Sequence, residues 1–319
     1  MHEPRGATAF PATHALTVTV LMMDADIRSK VAANLFPPAR SAVEPWDAFP
    51  WHLDRSGRCD TWRSHSSQAL AVDVFGSLKV APQADRDAIM DALAGSWGLP
   101  TGGPWRVELE WVDPVNHLTE KSPTQVDAIA TSPSSLICFE CKFTERGGRC
   151  SQTRRLPSGT HMGAVQCNGN YTRQTNPLNG KQSRCALSGK GIRYWEIIPE
   201  VFGYGADADH EPCPFAGCWL QWMRNLTLCW EVACHEGLKP PVAIVYADSC
   251  KLQFPAELRS PGWSQFMSAL RQEAIVFRSM PYRSLIALAR QAVADAGGDT
   301  ALWDSLDAWV DGKIRRVTG

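Results

Sequence analysis

The sequence predicts an α/β protein, because helical and extended patterns alternate along a chain long enough to bury a substantial core. The 319 residues are 44% hydrophobic, a proportion that is ordinary for a globular protein and excludes a disordered or fibrous chain. Basic residues number 32 and acidic residues 33, so overall charge indicates no partner. The odd number of cysteines, 11, argues against a secreted disulfide scaffold. We therefore expect a reduced, cytoplasmic environment.

The N-terminal part of the chain, residues 1–60, contains four prolines between positions 37 and 50 and has few long apolar periods. We expect an irregular extension that packs on a later core. Its apolar run 15–23 is too short to cross a bilayer, and the alternation of leucine and valine with threonine there is typical of a strand. We therefore expect no membrane association.

Two helices and three strands are predicted for the next part of the chain. Apolar residues at helical spacing behind a serine cap predict a helix over 66–78, and a second helix follows over 83–96. Alternating apolar and polar residues then predict three strands, over 105–112, 124–131 and 135–144. The last two strands are separated by three turn-forming residues and are predicted to form a hairpin.

The rest of the chain begins with a long polar stretch and returns to regular patterns after it. An apolar stripe predicts a helix over 214–234, a short apolar run predicts a buried strand over 242–246, and the remainder alternates helical periods with turns. We therefore expect a core domain over 61–255 with a basic, cysteine-containing insertion over 145–213, followed by a C-terminal helical region over 256–319.

The third predicted strand carries the residues with the clearest chemical potential. Its period of two places Leu136, Cys138, Glu140 and Lys142 on one face and Ile137, Phe139, Cys141 and Phe143 on the other. Asp127, on the preceding strand, comes beside Glu140 if the register of the hairpin allows it. Two carboxylates and an ammonium would then converge.

Such a trio fits a hard divalent cation such as magnesium, which takes carboxylate oxygens and leaves positions open for water and phosphate. In this hypothesis Asp127 and Glu140 hold the ion. Lys142 orients or helps to deprotonate the attacking water and stabilises charge that develops on a phosphate during phosphodiester hydrolysis. The alternative is that Glu140 and Lys142 form a solvated pair on an edge strand and that Asp127 is a surface residue near a turn.

Positive charge is concentrated directly after this strand. The segment 142–193 contains ten basic residues and one acidic residue, Glu145, whereas the rest of the chain has a net charge of minus ten. Such asymmetry is typical of a surface that binds a nucleic-acid backbone. The candidate contacts are Arg146, Arg149, Arg154, Arg155, Tyr171, Arg173, Lys181, Lys190 and Arg193. A solvated loop that is basic by chance is the alternative.

Four cysteines fall between this strand and the following helix, in a stretch with little apolar content. They are Cys150, Cys167, Cys185 and Cys213, spaced by 17, 18 and 28 residues. Four thiolates around zinc, or around an iron–sulfur cluster, would give this segment a defined structure. Because no two of them form a C-x-x-C pair, the alternative that they bind nothing stays open.

The acidic residue and the E-x-K element on adjacent strands resemble the PD-(D/E)XK nuclease superfamily, with Asp127 and Glu140-Cys141-Lys142 in the matching positions. The segments SSQALAVDVFG, QCNGNY, KGIRYWEIIP and CPFAGCWLQWMRN resemble those of a bacterial group of restriction endonuclease-like proteins. The resemblance covers about 180 residues. It implies a restriction endonuclease-like core with the order αβββαβ, in which helices flank a mixed central sheet.

The resemblance also implies Mg²⁺ or Mn²⁺ as cofactor, DNA as substrate and possible homodimerisation. The sequence departs from the family pattern at Val126, where a proline commonly precedes the acidic residue, and in its first helix, which has no glutamate. Asp73, or Gln68 as a neutral substitute, would have to serve there. Glu110 and Glu120 are further candidates, and the alternative for both is an exposed carboxylate without a role.

Three functions remain open on these grounds. The first is a magnesium-dependent DNA endonuclease. The second is a non-catalytic nucleic-acid-binding module whose basic loop is stabilised by zinc or an iron–sulfur cluster. The third is a structural subunit of a larger defence or repair assembly, for which the 13 tryptophans could supply an interface.

Overall fold

A five-stranded mixed sheet organises the computed structural model, which describes residues 23–319. The strands in chain order are β1 (Arg106–Val112), β2 (Gln125–Thr131), β3 (Leu136–Lys142), β4 (Gln174–Thr175), β5 (Gln182–Ser183), β6 (Pro241–Tyr246) and β7 (Val276–Pro281). The main sheet has the order β1-β2-β3-β6-β7, while β4 and β5 form a separate ribbon. The first three strands are antiparallel, and β3, β6 and β7 run parallel.

Ten α-helices are described between residues 23 and 319. They are α1 (Ala25–Asn34), α2 (Ser67–Ala71), α3 (Ser77–Val80), α4 (Gln83–Ser96), α5 (Tyr194–Val201), α6 (Leu220–Glu236), α7 (Gln253–Leu258), α8 (Pro261–Ser268), α9 (Tyr282–Asp295) and α10 (Ala301–Thr318). A π-helical turn, Val72–Gly76, joins α2 to α3. The Ser66 hydroxyl accepts a hydrogen bond from the Ala69 N–H, so the predicted serine cap begins this helix. None of the helices in the described range combines the length and the hydropathy that a bilayer crossing requires.

Both faces of the sheet are covered, which explains why β3 is buried along its whole length. One core cluster packs α4, α9 and α10 against the face that carries Ile137, Phe139, Cys141 and Phe143. The other packs α5 and α6 against the face that carries Leu136 and Cys138. The alternation predicted for this strand is confirmed.

The predicted order of helix, three strands, helix and strand matches the structure, with three local differences. The helix predicted from residue 214 begins at Leu220, because a 3-10 turn occupies Gly217–Trp219. Helix α5 was not predicted. It is short and apolar on most sides, and a proline within a sequence, here Pro199, normally indicates the end of a helix. Strand β7 lies inside the region that we expected to be helical. It extends the sheet at an edge, where only part of the strand is buried and the apolar pattern is weak.

The N-terminal residues that the structure describes form a layer on this core. Phe36 and Ala39 join the core cluster of α4 and α9, and Trp46 packs in a smaller cluster with Ala69 of α2 and Val72 of the π-helical turn. Residues 23–60 therefore include regular helix as well as irregular structure. The strand pattern within 15–23 lies outside the described residues, except for Met23.

A buried ion pair ties this layer to the C-terminal helix. The Asp73 carboxylate lies 2.5 Å from the Lys313 ammonium, and it also accepts hydrogen bonds from the Phe36 N–H at 2.6 Å and the Trp309 indole at 2.9 Å. Asp73 and Lys313 are 0% and 1% exposed. Asp73, a candidate site residue on sequence grounds, is therefore a core residue with structural partners.

We predict that Lys313→Met lowers the free energy of unfolding by about 3–5 kcal/mol, because it leaves the Asp73 carboxylate buried without a cation. Urea denaturation measures the change. Lys121→Met, which alters an exposed lysine, is the matched control, with an expected change within about 0.5 kcal/mol. The double variant Asp73→Asn/Lys313→Met should recover part of the loss. Equal unfolding midpoints for Lys313→Met and Lys121→Met would contradict the assignment.

Candidate active site

The structure brings Asp127, Glu140 and Lys142 together in one cavity of about 320 Å³. Pairing between β2 and β3 stops at Ala128 and Phe139, so the next residues, Asp127 and Glu140, face each other where the two strands separate. Between β1 and β2, the pairs on either side place Glu110 opposite Asp127. The sequence did not determine the pairing register of β2 and β3. The register in the structure brings the Glu110, Asp127 and Glu140 carboxylates together.

Glu140 is held by three donors and is 4% exposed. Its Oε1 accepts from the Lys142 ammonium at 2.6 Å and from the Gln221 amide at 2.5 Å, and its Oε2 accepts from the Asn225 amide at 2.6 Å. Both oxygens are thus engaged. A solvated pair on an edge strand is excluded, since Lys142 is equally buried and β3 has a neighbouring strand on each side.

Asp127 lies at the centre of the carboxylate group. Its Oδ2 accepts a hydrogen bond from the Cys141 N–H at 2.6 Å, which fixes the side chain across the gap between β2 and β3. Burial, together with the neighbouring Glu140 and Glu110 carboxylates, raises the pKa of Asp127 well above its usual value. A carboxylate in this position is stabilised by a cation.

Glu110 is the third carboxylate, and it is buried on β1. Its Oε1 accepts from the Gln68 amide at 2.8 Å, and its Oε2 accepts from the Gln125 amide. Burial raises the pKa of Glu110 to about 7, against the opposing effect of the two amides. Its backbone has a φ of 51°, a left-handed conformation that is uncommon outside glycine and is often found at functional sites.

His52 reaches the same place from the N-terminal layer. Its Nε2 lies 3.9 Å from Glu110 Oε2, and the side chain is 47% exposed. The surrounding protein excludes part of its water and lowers the pKa of this imidazole, which favours the neutral form that binds metals. Within residues 23–319, His52, Glu110 and Asp127 form one group whose ligand atoms all lie within 4.8 Å of one another. Two carboxylates and an imidazole around one point fit a divalent cation.

Lys142 is the only ammonium among the residues that line this cavity in the described chain. Burial favours its neutral form, but the Glu140, Glu145 and Asp127 carboxylates outweigh that effect and raise the pKa of Lys142 above its usual value. The side chain also lies over the Trp222 ring, 5.2 Å from the ring centre. At neutral pH it is therefore a cation that can donate hydrogen bonds.

Several residues of this site were assigned differently by sequence reasoning or were missed. Gln68, and not Asp73, is the polar residue of the first helix that contacts a site carboxylate. Gln221 and Asn225 were missed, although their spacing of four on one helix places them on one face. His52 gave no signal, because it lies in an irregular segment.

Glu120 is not brought to the cavity. Its carboxylate accepts hydrogen bonds from the Tyr194 hydroxyl and the Thr124 hydroxyl. This places it beside α5, where it joins the loop before β2 to the helix. Its role in the described structure is to hold these two elements together.

The basic segment lies partly at the cavity and partly away from it. Arg146 lines the cavity, and the side chains that are exposed are Arg146, Arg149, Arg154, Arg155, Arg173, Lys181 and Lys190. Arg193 is engaged with Glu196 and Glu231. Lys190 donates to the Gln152 side chain at 2.6 Å.

Tyr171 is a correction to the predicted nucleic-acid contacts. It is buried against Trp195, with ring centres 3.4 Å apart, and its hydroxyl donates to the Ala206 carbonyl at 2.7 Å. The ring is therefore part of the core and is not available to stack on a base.

One known protein family matches most of this chain. The family model described as "Restriction Endonuclease associating with ARP" matches residues 28–299, a range that includes the five strands of the main sheet and every residue of the cavity. Searches of curated proteins and of solved structures return no match. Because the match extends over most of the chain, the protein belongs to this REase-ARP family.

Proposed function

We propose that this protein is a DNA endonuclease that uses Mg²⁺ or Mn²⁺ to hydrolyse phosphodiester bonds in the cavity between β2 and β3. The observation that supports the proposal is the convergence of two buried carboxylates, the half-buried Asp127 carboxylate and one buried ammonium at the point where the two strands separate. Burial of several charged side chains in one place lowers the stability of the folded state. Such clusters are characteristic of functional sites.

In this proposal Asp127 and Glu110 hold the cation, with His52 as a further ligand and Glu140 beside them. When bound, the cation acts as a Lewis acid that lowers the pKa of a water molecule and neutralises charge on the phosphate. Both oxygens of Glu140 already accept hydrogen bonds from this chain. Its contribution is therefore to position Lys142 as well as to add negative charge.

Lys142 acts as a hydrogen-bond donor and a positive charge. Since its pKa is raised, the ammonium keeps its proton at neutral pH and does not serve as the base. It can orient the attacking water and stabilise the charge that develops on the phosphate oxygens. Arg146, exposed at the rim of the same cavity, can bind a neighbouring phosphate of the backbone.

We predict that Asp127→Asn, Glu140→Gln and Lys142→Met each lower the rate of DNA cutting while the fold is kept. Loss of one group that stabilises charge in the transition state typically costs about 100- to 1,000-fold in rate. Conversion of supercoiled plasmid in Mg²⁺, in Mn²⁺ and in EDTA measures the rate, and circular dichroism checks the fold. The matched controls are Glu108→Gln and Lys121→Met, which change exposed residues.

The nuclease assignment requires cutting that depends on the cation and is lost in the site variants but not in the controls. If all three site variants cut at the parental rate, the assignment of the site is wrong. Tight DNA binding without cutting in either cation would favour the non-catalytic binding module.

The basic segment gives a separate prediction about DNA binding. In EDTA, we expect Arg146→Gln and Arg149→Gln each to reduce the slope of log affinity against log salt concentration by about 1, because each removes one phosphate contact. Fluorescence anisotropy with a labelled duplex measures the slope. Arg193→Gln is the control, since this guanidinium is engaged with Glu196 and Glu231 and the slope should not change. An equal effect of all three substitutions would contradict the proposed surface.

A further inference from the structure

A second cavity, separate from the carboxylate site, brings together four cysteines that are far apart in the sequence. Its volume is about 20 Å³, and Cys150, Cys167, Cys185 and Cys213 all line it. The chain segments that carry them are joined by backbone hydrogen bonds. The Cys150 N–H donates to the Gly217 carbonyl at 3.2 Å, the Cys167 N–H to the Gln152 carbonyl at 3.1 Å, and the Cys213 N–H to the Gly169 carbonyl at 2.9 Å.

One of the four sulfur atoms already has a partner in the backbone. The Cys167 sulfur accepts a hydrogen bond from the Gly169 N–H at 3.4 Å. A backbone N–H directed at sulfur orients a metal ligand from outside the coordination sphere. The other three cysteines line the same small space, although they come from distant positions in the chain.

The segment around these cysteines has little else to stabilise it. Between Glu145 and Arg193, the buried hydrophobic side chains are Tyr171 and Ala186, and the only strands there are the two-residue β4 and β5. About fifty residues with so small an apolar core need a cross-link or a metal to hold one conformation. The eleven cysteines of the chain are free, so a metal is the form of cross-link that the structure leaves available.

We propose that Cys150, Cys167, Cys185 and Cys213 bind one zinc ion in a structural site. A space of about 20 Å³ holds roughly one water-sized sphere, which fits a single ion and not the eight atoms of a cubane iron–sulfur cluster. Four cysteines with no open position form the closed, tetrahedral sphere that zinc takes in structural sites. No three of these sulfur atoms lie within 4.8 Å of one another in the described structure, so the proposal requires the segments that carry them to move closer together when the ion binds.

Binding converts four thiols into thiolates and releases four protons, which leaves the Zn²⁺ site with a net charge of minus two. Arg184, which precedes Cys185 in the chain, lines the cavity and also pairs with Asp209 at 3.0 Å. A basic side chain beside the site offsets part of this charge.

The zinc site connects to the carboxylate site through a short series of hydrogen bonds. The Gly148 N–H, two residues before Cys150, donates to the Gln221 side chain at 2.8 Å, and the same side chain donates to Glu140. At Gly147, an added Cβ would come within 2.5 Å of the Cys218 carbonyl, so this stretch is packed tightly against the start of α6. The proposed zinc therefore fixes the segment that carries Arg146 and Arg149.

Metal analysis of the purified full-length protein tests the proposal. We expect one zinc per chain by inductively coupled plasma mass spectrometry, retained in Cys234→Ser and Cys250→Ser, which alter exposed cysteines outside the cavity. We expect Cys185→Ser and Cys213→Ser to lose it. Zinc absent from the parent, or retained in both cavity variants, would overturn the proposal. Equal amounts of iron and sulfide would overturn it in favour of a cluster.

Cobalt substitution decides the question if the cavity variants do not fold. The parent protein refolded with Co²⁺ should show the visible absorption bands of a tetrahedral tetrathiolate site, and Cys167→His should shift them as one sulfur ligand is replaced by nitrogen. Absence of these bands in the parent would contradict the assignment. Because neither measurement involves DNA, their outcome is independent of the nuclease proposal.

Discussion

The repulsion between Glu110, Asp127 and Glu140 is the constraint on which the organisation of this site depends. These three carboxylates lie close together in a partly enclosed cavity that Glu145, Lys142, Arg146 and Arg224 also line, so four acidic groups stand against three basic ones. The chain stabilises the arrangement with donors: Gln68 and Gln125 hold Glu110, while Gln221 and Asn225 hold Glu140. Amides cannot neutralise charge. In the function that we propose, a divalent cation between Asp127 and Glu110 would neutralise it, and charged groups held at this cost to stability are characteristic of functional sites.

The elements around the sheet serve this arrangement from both sides. Strands β1, β2 and β3 each contribute one carboxylate, α2 contributes Gln68, and α6 contributes Gln221 and Asn225. The N-terminal layer supplies His52 and is anchored to the core through Asp73, the residue to which Lys313 of α10 is bound. On the other side, the cysteine-bearing segment is attached to α6 through Gln221. The basic surface and the carboxylates thus share one supporting helix. Disorder in the segment would therefore disturb the position of Gln221 and its hydrogen bond to Glu140.

The sequence predicts the parts of this account that depend on local periodicity. The alternation of β3 places Glu140 and Lys142 on one face, and the hairpin brings Asp127 to them. The choice between Asp73 and Gln68 was not predictable, because both lie on one helix and only the packing of α10 shows that Asp73 faces the core. The roles of His52 and Tyr171 were not predicted for a related reason, because they depend on partners that are distant in the sequence. The separation of β2 from β3, which creates the cavity, has no sequence signal that we recognise.

Cation binding measured by thermal unfolding tests the central claim most directly. In EDTA, Asp127→Asn should unfold at or above the parental temperature, because it removes repulsion from the carboxylate group. Addition of Mg²⁺ or Mn²⁺ should stabilise the parent, by about 2.7 kcal/mol when the free cation is at 100 times its Kd, and should not stabilise Asp127→Asn. If millimolar Mg²⁺ and Mn²⁺ leave the parental unfolding temperature unchanged, the carboxylates do not form a cation site and the account is contradicted.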